Sequence, residues 1–251
     1  MLHAIAATFD ETALNWAVKC CLLAWAWYAL APIESAAFIR EGDKNVGILR
    51  RRKSAAQRFE GGVRVVEALQ AGYVGLSAVR HLLTVGGPLP VLLIQRMAGY
   101  LWFDTCYECV LPFVKGTSLS LPFLAHHLVG LAAHGLAKTH GPLRAVTAHV
   151  YLAELSTPFL HISWFLKQGQ RAESALYVKN GVIGAVMYVI FRVCWPPLFV
   201  YWNRDPAPWE AEQAGVHTAF LACSGVFWCL NLFWFKKLVA LARGAARPKR
   251  E

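Results

Sequence analysis

Residues 119–137 read LSLPFLAHHLVGLAAHGLA, an apolar run that holds two adjacent histidines, His126 and His127, near its centre. The run is long enough for a helix across a bilayer, which needs about 20 mostly apolar residues. Inside hydrocarbon an imidazole has no water to bond, so ionisable residues at this depth usually mark a binding or catalytic site. The stretch therefore predicts both a membrane-spanning helix and a polar site within it.

The composition of the whole chain also indicates a membrane protein. Of 251 residues, 57% are hydrophobic and 16% are charged, whereas soluble domains are about 25% charged. The ten Trp, eight Tyr and fourteen Phe residues fit aromatic belts at two membrane interfaces. Because most basic residues lie between the hydrophobic runs, we assign the net charge of +10 to membrane orientation and anionic headgroups rather than to nucleic acid.

Six further segments resemble the first in length and apolar character, and several prolines fall near segment edges, where helices tolerate them. No soluble domain fits between the segments. We therefore predict an all-α integral membrane protein with about seven transmembrane helices in a bundle. The predicted spans are residues 13–33, 62–83, 91–113, 119–137, 143–165, 176–201 and 216–239.

Basic residues predict the orientation of these spans. Most of the 25 Lys and Arg residues lie on one side: after the first span, in two later loops and after the last span. The positive-inside rule places that side in the cytoplasm and the N-terminus on the lumenal side. The predicted organisation is a lumenal N-terminus with the first helix (1–39), a domain of six helices (40–242) and a cytosolic basic tail (243–251).

Three predicted helices place polar side chains at one depth. Asp104 and Glu108 lie four residues apart on one helix face, and Asp104 is about 13 Å from the cytosolic end of the third span. His126 and His127 lie at a similar depth in the fourth span. The cytosolic half of the fifth span adds Glu154, Ser156, Thr157 and His161. We therefore predict one polar site built by three helices.

A histidine beside a carboxylate can act as a general base, or as a nucleophile that holds an acyl group. The same residue types also join helices in membrane bundles by hydrogen bonds, so both interpretations stay open. Adjacent helical residues project about 100° apart, so His126 and His127 lack the i,i+4 spacing of a helical zinc motif. Cys106-Tyr-Glu-Cys109 has no second cysteine pair beside it, and we predict no metal site and no resident cofactor.

Several motifs resemble the TLC-domain family of membrane proteins. Gly99-Tyr-Leu-Trp-Phe-Asp104, the pair His126-His127 and Leu152-Ala-Glu-Leu-Ser-Thr-Pro-Phe159 with Trp164-Phe165 carry the resemblance. Asn180-Gly181, Arg192 and the stretch from Asn231 to Lys237 look like the closing helices of that family. The resemblance covers about residues 50–240 and is strongest to the small TLC-domain proteins, with the ceramide synthases more distant. It implies a bundle of six or more spanning helices around a membrane-open cavity.

In the ceramide synthases of this family, paired histidines serve acyl transfer from acyl-CoA to a sphingoid base. The resemblance therefore implies His126, His127 and Asp104 as catalytic residues, with acyl-CoA as a co-substrate. We assign substrate binding to the other polar residues: Glu108, Glu154, Ser156, Thr157, His161, Asn180 and Arg192. The chain also departs from the pattern, since Glu67-Ala-Leu-Gln70 stands where small TLC-domain proteins commonly carry Ser-x-x-His.

Three classes of function stay open. The first is an acyltransferase acting on a sphingoid or phospholipid substrate, and the second is a non-catalytic lipid-binding protein that regulates membrane composition. The third is a cargo adaptor of the endoplasmic reticulum, because Arg247-Pro-Lys249-Arg-Glu251 resembles a retrieval signal. We expect membrane lipids as partners, no nucleic acid and residence in the endoplasmic reticulum membrane; a homo-oligomer is compatible with the sequence.

Overall fold

A computed structural model describes residues 2–30, 34–41, 44–52, 55–115, 118–204 and 214–245. Within these ranges the chain is almost wholly helical, with one β-hairpin and two irregular helical turns. The helices are α1 (Leu2–Ala6), α2 (Glu11–Leu30), α3 (Ala55–Thr84), α4 (Val91–Lys115), α5 (Leu121–Thr139), α6 (Gly141–Tyr151), α7 (Thr157–Gln168), α8 (Ala175–Tyr188), α9 (Trp195–Trp202) and α10 (Ala214–Ala245). A 3₁₀ turn (Leu152–Ser156) joins α6 to α7, and a π-helical turn (Val189–Cys194) joins α8 to α9.

Each of the seven predicted spans falls on a helical segment, so the predicted helical architecture is confirmed. In the described part of the chain, three segments are long and apolar enough to cross a membrane: Glu11–Leu30, Ala175–Trp202 and Ala214–Ala240. Most of the predicted site residues lie in the other helices, where polar side chains lower the mean hydropathy. The chain is therefore a helical membrane protein.

The segment after α2 differs from the prediction of a basic loop. It forms an antiparallel hairpin of β1 (Glu34–Glu41) and β2 (Lys44–Arg52), in which Phe38 pairs with Ile48. Strand pairing satisfies backbone groups that a loop would leave to solvent, and β-branched and aromatic residues favour it. The all-α prediction therefore needs one addition. Residues 246–251 of the predicted tail, including the retrieval-like motif, lie outside the described residues.

Six helical segments form a closed ring around the centre of the bundle. Going around the ring, α3 contacts α4, α4 contacts α5, and α5 contacts α10. Helix α10 then contacts the π turn that continues α8, α8 contacts α7, and α7 contacts α3. Helix α2 packs outside the ring against α3 and α4. Its backbone comes so close to Gly62 and Gly99 that a Cβ at either position would collide with a carbonyl of α2. Such glycines let membrane helices pack backbone to backbone.

Prolines account for both breaks in helical geometry. Pro197 has no N–H to donate to the Val193 carbonyl four residues earlier, and the indole of Trp228 on α10 donates to that carbonyl instead at 3.0 Å. Pro158 is the second residue of α7, directly after the 3₁₀ turn that separates α6 from α7. The two breaks therefore leave backbone carbonyls that side chains from other helices bind.

A polar cluster around Asp10 joins the N-terminal region to the bundle. Asp10 caps α2 by accepting from the Ala13 N–H at 2.8 Å, which is the usual role of an aspartate before a helix. Lys138 at the end of α5 donates to the same carboxylate at 2.6 Å, and Gln95 of α4 donates at 3.0 Å. Although partial burial raises the pKa of Asp10, the hydrogen bonds from Lys138, Ala13 and Gln95 outweigh it and hold this pKa below its ordinary value.

We expect Asp10→Asn to destabilise the folded protein by about 1 kcal/mol at pH 7, since the ion pair is partly exposed. A lowered aspartate pKa stabilises the fold above the ordinary value of 3.8, and this contribution is lost as the pH falls below that value. Thermal unfolding of both proteins in detergent should show a gap at pH 7 that is smaller at pH 3. An equal gap at both pH values would show that the Asp10 charge contributes nothing.

Candidate active site

A cavity of about 400 Å³ lies inside the ring of helices. Exposed side chains of Phe123, Leu160 and Lys237 lie at its rim, whereas most of its polar lining is buried. The polar and charged residues that line it are Arg64, Glu67, Tyr100, Asp104, His126, His127, Glu154, Thr157, His161, Tyr188, Arg192 and Lys237. The structure thus brings the histidines and carboxylates of separate predicted spans around one space.

His127 of α5 and Asp104 of α4 form the central contact of this cavity. Nε2 of His127 lies 3.0 Å from Oδ2 of Asp104, and both side chains are almost fully buried. The Tyr100 hydroxyl, one helical turn before Asp104, donates to the same oxygen at 3.2 Å. Because Nε2 carries the proton that Asp104 accepts, Nδ1 keeps a free lone pair. His127 therefore has the arrangement of a general base or nucleophile held in place by a carboxylate.

His126 has different surroundings although it is the next residue along the chain. Its ring packs edge-on against Phe227 and Trp234 of α10, with ring centroids 4.9 Å and 5.3 Å away. Since neighbouring helical residues project about 100° apart, His126 meets an aromatic wall while His127 meets the carboxylate. The two histidines cannot be distinguished from the sequence, but in the structure His126 contacts aromatic rings and His127 contacts a carboxylate.

A second carboxylate, Glu67 of α3, lies in the same cavity and was not assigned from the sequence. Its Oε2 accepts from Nδ1 of His161 at 3.2 Å and from Nη1 of Arg64 at 3.0 Å. Its carboxyl group lines the same cavity as that of Asp104. The sequence did contain a signal for Glu67. Arg64 and Glu67 lie three residues apart within a predicted span, so they can form an ion pair on one helix face.

Arg192, on the π turn, binds protein groups with all of its nitrogens. Its donors reach Ala153 O at 3.1 Å, Ser156 Oγ at 2.9 Å, Asn231 Oδ1 at 3.3 Å, Glu154 Oε1 at 3.5 Å and Thr157 Oγ1 at 2.8 Å. The expected carboxylate partner of this intramembrane arginine is thus Glu154. Arg192 lines the cavity, but these contacts make it a cross-link between three segments rather than a free cation for substrate.

The other residues predicted to bind substrate divide into two groups. Thr157 and Glu154 line the cavity, and Thr157 donates to Oε2 of Glu154 at 3.0 Å. Ser156 is fully buried between Ala153 and Arg192, and Asn180 ties α8 to α7 by donating to Phe159 O and Ser163 Oγ at 2.8 Å each. Glu108 lies one turn beyond Asp104 and, like Ser156 and Asn180, is not among the lining residues. A substrate contact for these three stays a prediction.

A smaller cavity of about 70 Å³ continues from the main one deeper into the bundle. Met97, Leu101 and His126 line both spaces, and Gly130 and His134 line the smaller one. Nδ1 of His134 donates to the Gly130 carbonyl at 2.6 Å, so this histidine is tied to its own helix. The main cavity therefore has an apolar extension beyond the histidine pair.

Comparison with known proteins places this site in a family. The model of the TLC domain matches residues 70–240, which is more than half of the chain and includes α4, α5 and α10 with most of the cavity lining. The chain belongs to the TLC-domain family. Proteins of this family are membrane-associated and linked to lipid metabolism.

Individual relatives support the same assignment. TLC domain-containing protein 4-B of Danio rerio is 29% identical over 199 residues, covering 72% of each chain. TLC domain-containing protein 4 of Homo sapiens is 27% identical over 158 residues, covering 61% of this chain and 59% of the human one. An uncharacterised TLC domain-containing protein of Schizosaccharomyces pombe is 28% identical, but the match spans 49% of this chain and 46% of the yeast protein's length. No solved structure matches the chain.

Proposed function

We propose that this TLC-domain protein is an enzyme of lipid homeostasis that transfers an acyl group from acyl-CoA to a sphingoid or phospholipid substrate. The observation that carries the proposal is the contact of 3.0 Å between His127 and Asp104 in a cavity of about 400 Å³. A neutral imidazole with one nitrogen held by a carboxylate and the other free is the arrangement that nucleophilic and general-base catalysis require. The apolar walls around it suit the hydrocarbon chains of both substrates.

The proposed membrane topology has seven spans, a lumenal N-terminus and a cytosolic C-terminus in the endoplasmic reticulum. The four segments beyond the three most apolar ones are helical, and most of the buried polar groups that line the cavity come from them, as a bilayer favours. Lys237, at the rim of the cavity, then lies on the cytosolic side. An exposed lysine there is suited to the phosphates of acyl-CoA or of a phospholipid headgroup.

The first chemical step uses His127. The lone pair of Nδ1 attacks the thioester carbon, the carbon–sulfur bond breaks with its electron pair on sulfur, and the acyl group stays on His127. Asp104 stabilises the positive charge that the acylated ring acquires. In the second step the lipid amine or hydroxyl attacks the acyl carbon, the bond from that carbon to Nδ1 breaks, and the free imidazole of His127 is restored. The proton that the lipid loses balances the CoA thiolate, so the products are the acylated lipid and CoA thiol.

The test is acyl labelling of the purified full chain in lipid nanodiscs. With radiolabelled palmitoyl-CoA, we expect label bound to the protein and, after addition of sphingosine or lysophosphatidylethanolamine, label in the lipid product. The His126→Ala/His127→Ala double variant should lose both signals. The proposal is wrong if wild-type protein yields neither signal, or if both survive in the double variant.

Binding of lipid without turnover is the second candidate function. It is favoured by the aromatic and aliphatic lining, Trp164, Trp234, Leu101 and Leu160, which would hold a lipid whether or not the histidines react. This function predicts that a lipid co-purifies with the double histidine variant as well as with the wild-type protein, while neither forms a product. Mass spectrometry of the extracted lipids distinguishes the two functions.

A further inference from the structure

Two buried carboxylates of the cavity each hold one histidine. Oε2 of Glu67 accepts from His161 Nδ1 at 3.2 Å, and Asp104 holds His127 at 3.0 Å. The side chain of Glu67 is 6% exposed and that of His161 is 8% exposed. The cavity therefore contains two buried carboxylate–histidine pairs, one from α3 and α7 and one from α4 and α5.

Arg64 also contacts the carboxylate of Glu67, because its Nη1 lies 3.0 Å from Oε2 of Glu67. Glu67 is therefore held between an arginine of its own helix and His161 of α7.

His161 repeats the arrangement of His127 with its ring nitrogens exchanged. Its Nδ1 donates to Glu67, and its Nε2 is buried without a hydrogen-bond partner among the described residues. In His127, Nε2 donates to Asp104 and Nδ1 is the buried nitrogen without such a partner. Both rings line the same cavity. The site thus offers two ring nitrogens from different helices, Nδ1 of His127 and Nε2 of His161. A nucleophile uses one of them, so the other is available for a second role.

We propose that His161, positioned by Glu67, is the acid–base group of the acyl transfer proposed above, and this inference rests on that function. When the lipid attacks the acyl carbon on His127 Nδ1, its amine or hydroxyl proton passes to Nε2 of His161. The bond from the acyl carbon to Nδ1 breaks and its electron pair returns to His127. Glu67 stabilises the charged His161, which gives the proton to the departing CoA thiolate in the next cycle.

The two-step assay above separates the roles, because His161 is needed chiefly for the second step. A CoA thiolate can leave without an acid, whereas a lipid amine or hydroxyl must lose a proton to a base. In Glu67→Gln and His161→Gln, product formation should therefore fall by about 100- to 10,000-fold, while acyl label remains and accumulates on His127. Gln at position 67 can still accept from His161, so the geometry is kept and only the charge is removed.

The matched control is Glu60→Gln on the same helix, which removes a carboxylate 3.7 Å from Arg64 but outside the cavity lining. It should keep wild-type labelling and turnover. Wild-type product rates in both Glu67→Gln and His161→Gln would overturn the inference, and so would loss of protein-bound label together with product. If one of the two variants fails to fold, the other decides. Absence of label and product in the wild-type protein would instead refute the proposed function.

Discussion

Asp104→Asn is expected to reduce acyl transfer by about 100- to 10,000-fold, the range typical for loss of a positioned acid–base group. Asparagine can still accept from Tyr100 and His127, so the fold should survive, but it cannot stabilise the positive charge that His127 acquires. The effect should appear in the formation of protein-bound label, since Asp104 supports the first step. Initial rates of labelling with radiolabelled acyl-CoA measure it directly.

Glu60→Gln is the matched comparison, because Glu60 is a carboxylate 3.7 Å from Arg64 that does not line the cavity. We expect its rate to stay within about threefold of wild type, as for substitutions away from reacting groups. Equal losses in the two variants would mean that the total negative charge of this layer matters and that the contact with His127 does not. That result would remove the main support for the catalytic assignment.

Arg192→Met should cause a large loss of stability, about 3–5 kcal/mol, which is typical when one partner of a buried ion pair is removed. Methionine fills similar space, but it removes the hydrogen bonds that Arg192 donates to Glu154, Ser156 and the Ala153 carbonyl. Arg192→Lys should be intermediate, since it keeps the charge but not the planar array of donors. Unfolding in detergent, followed by tryptophan fluorescence, gives the difference in free energy.

Arg80→Met serves as the control for that measurement. Arg80 is an exposed arginine on α3, and exposed substitutions usually change stability by less than about 0.5 kcal/mol. A wild-type unfolding curve for Arg192→Met would show that the contacts of Arg192 do not stabilise the bundle. In that case the guanidinium of Arg192 would be available to a ligand, in agreement with the prediction that Arg192 binds substrate.

The sequence was sufficient to predict which segments are helical and which polar residues lie near one another. Apolar length located the helices, and counting residues from the span ends put Asp104, His127 and His161 at compatible depths. Depth does not determine which side of a helix faces the centre, so the sequence could not separate His126 from His127 or exclude Glu108 from the cavity lining. Those distinctions depend on the rotation of each helix, which packing sets.

Partners of buried polar groups were harder to predict than their positions. Glu67 was not assigned to the site from the sequence, because its contact with His161 comes from a helix distant in sequence. Substrate binding by Ser156 and Asn180 stays a prediction, and the hydrogen bonds that the structure shows for them go to other protein groups. The prolines at 158 and 197 coincide with breaks in helical geometry, yet nothing in the local sequence indicates that Arg192 and Trp228 bind backbone carbonyls there.

The position of α10 has a consequence for biosynthesis. This last helix closes the ring, supplying Phe227 and Trp234 beside His126 and Asn231 beside Arg192. Before the ribosome releases α10 into the bilayer, the ring of helices in the nascent chain is incomplete. Its imidazole, carboxylate and guanidinium groups then face lipid. Chains truncated before residue 214 should therefore be recognised by membrane quality control and degraded faster than chains that lack α1 and α2, which contribute no side chain to the cavity wall.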